Sequence, residues 1–357
     1  MGALRRRMSR AGIPGLLVTH LPDVRYLCGF TGSSAALAVT RRAARLYTDG
    51  RYKSQAAEEV AAAQVEIVTN SPAIAAVQWL AAQRGVDFAA FDPANTSVAD
   101  LTLLKAALPS GLRRSYLSAL PAPLVQRLRL QKDDDELALM RDAALLGCRL
   151  FDHILGFIRP GLTELEVAAE LEHRARLLGA DAMSFETIVA SGARSALPHG
   201  RATAATLPRR GFLTLDYGVI LKGYCSDMTR TLYLGKPRPN ERSAYEAVLE
   251  AQESALAAVT AGASCAEVDE AARGVLRKAG MADAFSHSTG HGVGLEIHEP
   301  PRIGAKQTTR LESGMVVTIE PGVYFAGEFG IRIEDMVAVT RNSGQVLTPS
   351  PKALIEL

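Results

Sequence analysis

Four carboxylates in the second half of the chain occupy two similar sequence patterns. Asp216 and Glu320 each end an apolar run, and each is followed, after a turn, by a segment that bears Asp227 or Glu334. A carboxylate is costly to bury in apolar surroundings unless it is paired or bound to a cation. Four crowded carboxylates would also repel one another and raise one another's pKa values. A pair of divalent metal ions resolves this conflict, with Asp227 and Glu334 as bridging ligands.

The same acids could instead form surface ion pairs with Arg230 and Arg332. That explanation suits a single acid but is less suited to four acids in matching hairpins. Segments 211–216 and 314–320 each form an apolar strand that ends in a carboxylate. They therefore predict a pseudo-twofold site to which each hairpin contributes two acids.

Histidines are concentrated in the same region. Four of the seven lie between residues 199 and 298, namely His199, His287, His291 and His298. His291 stands between Gly290 and Gly292, and glycines allow a backbone to approach a ligand closely. A lone histidine is more often structural, but the neighbouring acids favour His291 as a metal ligand. One imidazole with several carboxylates suits manganese, cobalt, iron or zinc.

The elements that must position these residues fall into two parts. The first part alternates short strands with helices, which predicts an α/β domain over residues 1–122. The predicted strands are 15–19, 35–40, 44–47, 65–68 and 88–91, and the predicted helices are 51–62 and 73–84. Two prolines in Leu120–Pro123 mark a linker.

The second part, residues 123–357, combines long helices with strand-rich segments. Apolar residues at helical spacing predict a helix from Lys132 to about residue 157. Thr163 begins another, with Glu166 in the capping-box position. Two more are predicted over 240–260 and 265–279. The acids and histidines described above lie in the segments between and after these helices.

Composition restricts the class of protein. A chain of 357 residues with 48% hydrophobic and 22% charged residues suits a soluble protein of two domains. A net charge of +2 favours neither a nucleic-acid nor a membrane partner. No secretory segment or membrane span is predicted. The scattered cysteines fit reduced thiols in a cytoplasmic protein, without a CxxC motif; they are Cys28, Cys148, Cys225 and Cys265.

Longer segments resemble a known family. Residues 211–236, 287–302 and 313–336 are similar to the metallopeptidases that include prolidase, aminopeptidase P and methionine aminopeptidase. Residues 30–34 and 47–52 resemble the N-terminal domain of the proline-directed members. The resemblance spans nearly the whole chain. It implies an N-terminal α/β domain with a mixed sheet, followed by an α+β "pita-bread" catalytic domain.

The resemblance implies a ligand set. Asp216 would bind one metal, His291 and Glu320 the other, and Asp227 and Glu334 would bridge them. The two divalent ions would be manganese in preference to cobalt, zinc or iron. Such a site lowers the pKa of a bound water, so that hydroxide forms near neutral pH and attacks the carbonyl before proline. Glu320 would also shuttle the proton.

Further roles follow from the same resemblance. His199 would act near the scissile amide, as a catalytic and substrate-binding group, and His298 would contact the substrate. Arg302 matches the prolidase position that binds the free carboxylate of proline, a strong and directional contact. Arg332 would orient the acids, and His287 is interpreted as supporting or structural. The alternatives are a loop histidine at 199 and a surface arginine at 302.

The implied activity is hydrolysis of the Xaa-Pro bond in dipeptides by a prolidase. Aminopeptidase P, which acts on longer Xaa-Pro peptides, shares the metal site, so the five ligands do not separate the two. The short first domain and Arg302 favour the dipeptidase. Methionine aminopeptidase normally lacks this first domain, and a non-catalytic peptide-binding module is disfavoured because no ligand is missing.

A small peptide is the expected substrate, and a homodimer is implied by the family alone. Asp49, Arg51 and Tyr52 could reach a catalytic cleft from the first domain. A turn that starts a helix, with no catalytic role, explains the same three residues almost as well.

Overall fold

The computed structural model describes residues 1–357, which divide into two compact units, Met1–Arg129 and Leu130–Leu357. Each unit has its own hydrophobic core. No helix in either unit is both long enough and apolar enough to cross a membrane.

The first unit is built around a six-stranded sheet. Its strands are β1 (Gly15–Val18), β2 (Ala35–Thr40), β3 (Ala44–Asp49), β4 (Gln64–Val68), β5 (Ala89–Phe91) and β6 (Leu117–Ala119). They lie in the order β4–β3–β2–β1–β5–β6. The β1–β2 and β2–β3 pairs are antiparallel and the other three pairs are parallel. The prediction of an α/β first domain with a mixed sheet is therefore confirmed.

Helices cover this sheet on both faces. They are α1 (Gly2–Arg10), α2 (Leu21–Cys28), α3 (Lys53–Glu59), α4 (Pro72–Ala81), α5 (Val98–Ala106) and α6 (Gln126–Arg129). Successive side chains of a strand point to opposite faces. Leu16 and Val18 accordingly pack in one core cluster, whereas Leu17 packs in the other.

Some helices of the first unit differ from those predicted. The helix predicted over 51–62 is a 3-10 turn, Gly50–Tyr52, followed by α3. The Asp49 carboxylate accepts a hydrogen bond from the Arg51 backbone N–H at 3.1 Å and caps that separate turn. Helices α2 and α5 were not predicted. In α5 only Leu104 is buried, so its sequence lacks a clear apolar face.

The first unit continues beyond the prolines of Leu120–Pro123. Val125 is buried in its core. Arg129 donates to the Asp23 carboxylate at 2.7 Å, and both side chains are buried. These contacts hold the segment after the prolines on the first sheet, so the first compact unit ends at Arg129.

Four helices of the second unit pack against its strands to form the core. They are α7 (Asp134–Phe157), α8 (Glu164–Leu177), α9 (Pro239–Ala258) and α10 (Cys265–Lys278). The predicted capping box at the start of α8 is confirmed, because Thr163 and Glu166 exchange hydrogen bonds. Asp133 and Ser264 form similar caps on α7 and α10.

Short strands form four sheets between these helices. The strands are β7 (Ala182–Met183), β8 (Ile188–Ser191), β9 (Gly211–Tyr217), β10 (Val219–Leu221), β11 (Tyr224–Cys225), β12 (Met228–Leu234), β13 (Gly290–Gly292), β14 (Glu299–Ile303), β15 (Val316–Ile319), β16 (Gly322–Phe325), β17 (Phe329–Arg332), β18 (Asp335–Val339) and β19 (Gly344–Val346). The two sheets that carry the acids described above have the orders β12–β9–β8 and β14–β13–β15–β18–β19. The second unit therefore has the predicted α+β composition.

Candidate active site

Strand alternation decides which side chains of β9 reach the site. Leu213 and Leu215 pack in the core cluster that contains α7 and α8. Thr214 and Asp216 consequently point to the opposite face of the strand. Although Asp216 points away from the core cluster, it is only 8% exposed and is therefore buried away from bulk water.

The second hairpin repeats this arrangement. Val317 and Ile319 of β15 pack in the cluster that contains α9 and α10. Thr318 lies on the other face, and Glu320 follows at the end of the strand. In both hairpins the second acid immediately precedes the returning strand: Asp227 precedes β12 and Glu334 lies between β17 and β18.

The two hairpins meet at these acids. Asp216 is paired in register with Thr229 across β9 and β12. The Thr229 carbonyl accepts a hydrogen bond from the Glu334 backbone N–H at 3.1 Å, and its hydroxyl donates to Glu334 Oε2 at 2.7 Å. The acids of both hairpins thus lie together, as the repeated sequence pattern predicts.

A cavity of about 900 Å³ opens over the acids. This volume lies within the range of small-molecule sites, roughly 300–1,000 Å³. All of the residues predicted to act at a site line it: His199, Asp216, Asp227, His291, His298, Arg302, Glu320, Arg332 and Glu334. His287 lines it as well.

The His291 ring has a defined orientation and tautomer. Its Nδ1 lies 3.0 Å from the Gly292 carbonyl, which can only accept, so Nδ1 carries the proton. The lone pair of Nε2 then faces Glu320 Oε1 at 3.5 Å and Asp227 Oδ2 at 3.6 Å. These distances are too long for hydrogen bonds. Burial lowers the pKa of His291, which favours this neutral form.

The acids are electrostatically unfavourable as they stand. Burial raises the pKa of Asp227 well above its usual value, and the charges of Glu334 and Asp216 raise it further. Burial likewise raises the pKa of Glu334, with added repulsion from Glu320. Burial also raises the pKa of Glu320, to about 7. Protons or cations are needed to relieve this repulsion.

A single arginine compensates part of the charge. Arg332 Nη2 donates to Asp216 Oδ2 at 2.6 Å, and its Nε donates to the Thr229 hydroxyl at 3.1 Å. Asp216 Oδ1 is buried and has no hydrogen-bond partner. One oxygen of Asp216 is therefore left for another electropositive group.

The carboxylate and imidazole donors of the site suit a divalent metal ion. Ligand atoms of Asp227, His291 and Glu334 all lie within 4.8 Å of one another. Asp216 and Glu320 line the same cavity, and carboxylate and imidazole donors suit manganese, zinc, cobalt or iron.

The surface ion-pair explanation of the acids is wrong. Asp227 and Glu334 are 4% and 2% exposed. Arg230 pairs instead with Asp335 at 2.7 Å, and both of these side chains are buried. Arg332 does pair with Asp216, but the pair lies inside the site.

The predicted substrate-binding residues lie around the acids. The His298 ring lies 4.4 Å from the His291 ring, between centroids. His199 and Arg302 are exposed on the cavity wall. Arg302 is paired in register with His291 across β13 and β14, so both side chains lie on the same face of the sheet.

Sequence reasoning did not find Tyr324. Its hydroxyl accepts from Arg332 Nη1 at 2.6 Å and donates to His287 Nε2 at 3.0 Å. His287 Nδ1 donates to the Ser288 carbonyl at 2.8 Å, and burial lowers the pKa of His287 to about 4. Neutral His287 and Tyr324 therefore hold the Arg332 guanidinium in place beside Asp216. The position of Tyr324, four residues after Glu320 on a short strand, was the only indication in the sequence.

Comparison with known proteins defines the class. Residues 1–131 match the creatinase/prolidase N-terminal domain, and residues 138–341 match metallopeptidase family M24. These matches describe a two-domain, metal-dependent peptidase. The chain belongs to metallopeptidase family M24.

Relatives extend over the full chain. An uncharacterized peptidase of Bacillus subtilis (strain 168), YqhT, is 38% identical over 99% of both chains. The solved structure of an Xaa-Pro dipeptidase from Bacillus anthracis superposes with a TM-score of 0.94 at 39% identity, covering 100% of this chain and 98% of that one. An X-Pro aminopeptidase from Thermotoga maritima MSB8 gives a TM-score of 0.89 at 33% identity, covering 98% of this chain and 100% of that one. The predicted pita-bread fold of the second domain is confirmed.

Proposed function

We propose that this peptidase is an Xaa-Pro dipeptidase that depends on two divalent metal ions. Its proposed ligands are Asp216, Asp227, His291, Glu320 and Glu334, with manganese as the favoured ion. The buried acids, the unpartnered oxygen of Asp216 and the outward lone pair of His291 support this assignment. Bound divalent ions would polarise the scissile carbonyl and lower the pKa of the attacking water.

The reaction adds water across the amide, so that the hydroxyl joins the Xaa carbonyl carbon and a proton joins the proline nitrogen. Glu320 takes the proton from water at the cavity wall. His199 stabilises the tetrahedral intermediate or delivers the proton to proline nitrogen, and His298 contacts the substrate. Arg332 holds Asp216 in place while these changes occur.

One observation favours a dipeptide over a longer substrate. Arg302 lines the cavity, is exposed and forms no ion pair with any acid of the chain. In Xaa-Pro the free carboxylate lies one residue beyond the scissile carbonyl, about 3.5 Å along an extended chain. A guanidinium without an ion-pair partner, on the same face of the sheet as His291, supports binding of that carboxylate.

Aminopeptidase P activity is the second candidate. The favourable observation is the likeness to the Thermotoga maritima X-Pro aminopeptidase over nearly all of both chains. In a longer Xaa-Pro peptide the residue after proline extends past Arg302, and the free carboxylate is displaced from it. The two candidates therefore differ in the use of Arg302 and share the same catalytic groups.

Substrate comparison tests the proposal. The protein is treated with chelator, supplied with manganese, and assayed for cleavage of Ala-Pro and Ala-Pro-Ala. Rapid proline release from Ala-Pro with little cleavage of Ala-Pro-Ala supports the dipeptidase. Efficient cleavage of Ala-Pro-Ala assigns an aminopeptidase P, and cleavage of neither with any divalent metal contradicts proline-directed hydrolysis.

A further inference from the structure

The loop that carries His199 has an unusual anchor. Residues 192–206 connect β8 to the segment before β9, and His199 lies near their middle. The His199 ring forms no hydrogen bond with the protein, so the loop backbone sets its position. Contacts that hold this backbone therefore limit where the imidazole can lie.

Glu164, at the start of α8, contacts both ends of the loop. Its side chain is 0% exposed. Oε1 accepts from the Ser191 backbone N–H at 2.8 Å and from the Ser191 hydroxyl at 2.9 Å. Oε2 accepts from the Thr203 backbone N–H at 3.1 Å and from the Thr203 hydroxyl at 2.8 Å. Ser191 precedes the loop's first residue, and Thr203 lies near its end.

Arg194 completes this anchor within the loop. Its Nε lies 3.2 Å from Oε1 and 3.0 Å from Oε2 of Glu164. Its Nη2 donates to the Arg201 carbonyl at 2.7 Å, which joins the two sides of the loop on either side of His199. Hydrogen bonds to an ionised group are about twice as strong as neutral ones.

The opposite side of the loop is attached to the metal-site hairpin. The Ser195 hydroxyl accepts from the Gly330 backbone N–H at 2.9 Å. The Pro198 carbonyl, next to His199, accepts from Arg332 Nη1 at 3.1 Å. The loop is thus held between Glu164 on one side and β17 on the other, so loss of either anchor displaces His199 relative to the acids.

We propose that Glu164 is a positioning residue for catalysis, which holds the 192–206 loop so that His199 faces the scissile amide. This inference rests on the catalytic role proposed for His199. Glu164 itself is buried and does not line the cavity that would receive the substrate. Its effect on the reaction is therefore exerted through His199.

The neighbouring Glu166 provides a matched control. It lies on the same turn of α8 and its Oε2 accepts from the Thr163 backbone N–H at 2.7 Å and hydroxyl at 2.8 Å. It is an exposed helix cap and does not contact the loop. Glu164→Gln and Glu166→Gln make the same chemical change two residues apart.

The test is a double-mutant cycle on proline release from Ala-Pro with the manganese-loaded full chain. In Glu164→Gln, the side-chain amide NH₂ faces the hydrogen-bond donors of Ser191 or Thr203. The substitution also removes the negative charge that holds Arg194. We expect kcat to fall about 10- to 100-fold, part of the 10²–10⁴-fold contribution of a positioned acid–base group. The KM of Glu164→Gln should stay within about twofold of the wild-type value. The double variant with His199→Ala and Glu164→Gln should be no slower than His199→Ala alone. Glu166→Gln should keep the wild-type kcat.

Two further measurements keep the inference falsifiable. Thr203→Val keeps the Glu164 charge and removes only the hydroxyl that donates to Glu164 and accepts from the Ala205 backbone N–H. It is the substitute if Glu164→Gln does not fold, and a smaller fall in kcat, about threefold, is expected. Trypsin cleavage after the exposed Arg201 reports loop order without using activity, and it should accelerate in Glu164→Gln but not in Glu166→Gln.

The outcomes separate this inference from the proposed function. Multiplicative losses in the double variant, a wild-type kcat in folded Glu164→Gln, or a wild-type kcat in His199→Ala would each overturn the positioning role. If the wild-type protein cleaves no Xaa-Pro peptide, the proposed function fails. The catalytic inference fails with it, and the trypsin result then shows only whether Glu164 orders the loop.

Discussion

Removal of divalent metal is expected to make the stability of the folded protein decrease as the pH rises. Burial raises the pKa of Glu320 from 4.5 to about 7 in the absence of a cation. The folded state then keeps a proton that the unfolded chain has already lost, so the unfolding free energy decreases with rising pH. The loss begins near pH 4.5 and is complete above about pH 7.

The size of this effect follows from the same values. One proton held by the folded state alone changes stability by about 1.4 kcal/mol per pH unit, or about 3 kcal/mol across this window. For a domain of 150–250 residues this corresponds to a fall in Tm of roughly 6–12 °C. The raised pKa values of Asp227 and Glu334 act in the same direction.

Thermal unfolding of the chelator-treated full chain measures the effect at about pH 5 and about pH 8. Glu320→Gln is the control, because it removes this titration while keeping the side-chain shape. The metal-free wild type should lose more Tm than the variant over this range, and manganese should restore more stability at the higher pH. An equal loss in the two proteins, or a Tm that rises with pH only in the wild type, would refute the reasoning.

Three other changes test separate parts of the site. Arg302→Ala should raise KM for Ala-Pro about 10- to 100-fold, since it removes a charge-assisted contact of about 1.5–3 kcal/mol. Arg201→Ala is the control and should leave KM unchanged, because that arginine is already paired with Glu186. Equal effects of the two variants on KM in steady-state assays would contradict a role of Arg302 in binding the substrate carboxylate. Tyr324→Phe should lower kcat about 3- to 10-fold, because it removes the hydroxyl that accepts from Arg332 and donates to His287, without loss of bound metal by mass spectrometry. His291→Ala should abolish proline release and reduce metal content; a fully metallated, active variant would exclude His291 as a ligand.

The acids of the site could be located from sequence because strand alternation is local. A carboxylate in phase with Thr214 and out of phase with Leu213 and Leu215 must leave the core face of β9. The same rule applies to Thr318 on β15. The fold class was also predictable, since the alternating pattern of the first unit and the family resemblance gave the same domain.

Contacts between distant segments could not be predicted from local patterns. Tyr324 reaches Arg332 and His287 only because a hairpin and a separate loop converge. Glu164 lies in the first turn of α8, where any carboxylate is favourable, so its sequence position does not distinguish it from other helix-capping acids. Its contacts with Thr203, 39 residues later, depend on the packing of α8 beside the loop. The homodimer and the cytoplasmic location stay predictions.

Simultaneous titration of metal and activity tests the central claim most directly. Chelator-treated protein is titrated with manganese while bound metal and proline release from Ala-Pro are measured on the same samples, with Asp227→Asn as the matched variant. We predict that activity is absent without metal and reaches its maximum as two ions bind per chain, and that the variant neither retains both ions nor recovers activity. Full Ala-Pro hydrolysis by the metal-free protein, or full activity in Asp227→Asn, would contradict a dinuclear site built on these acids.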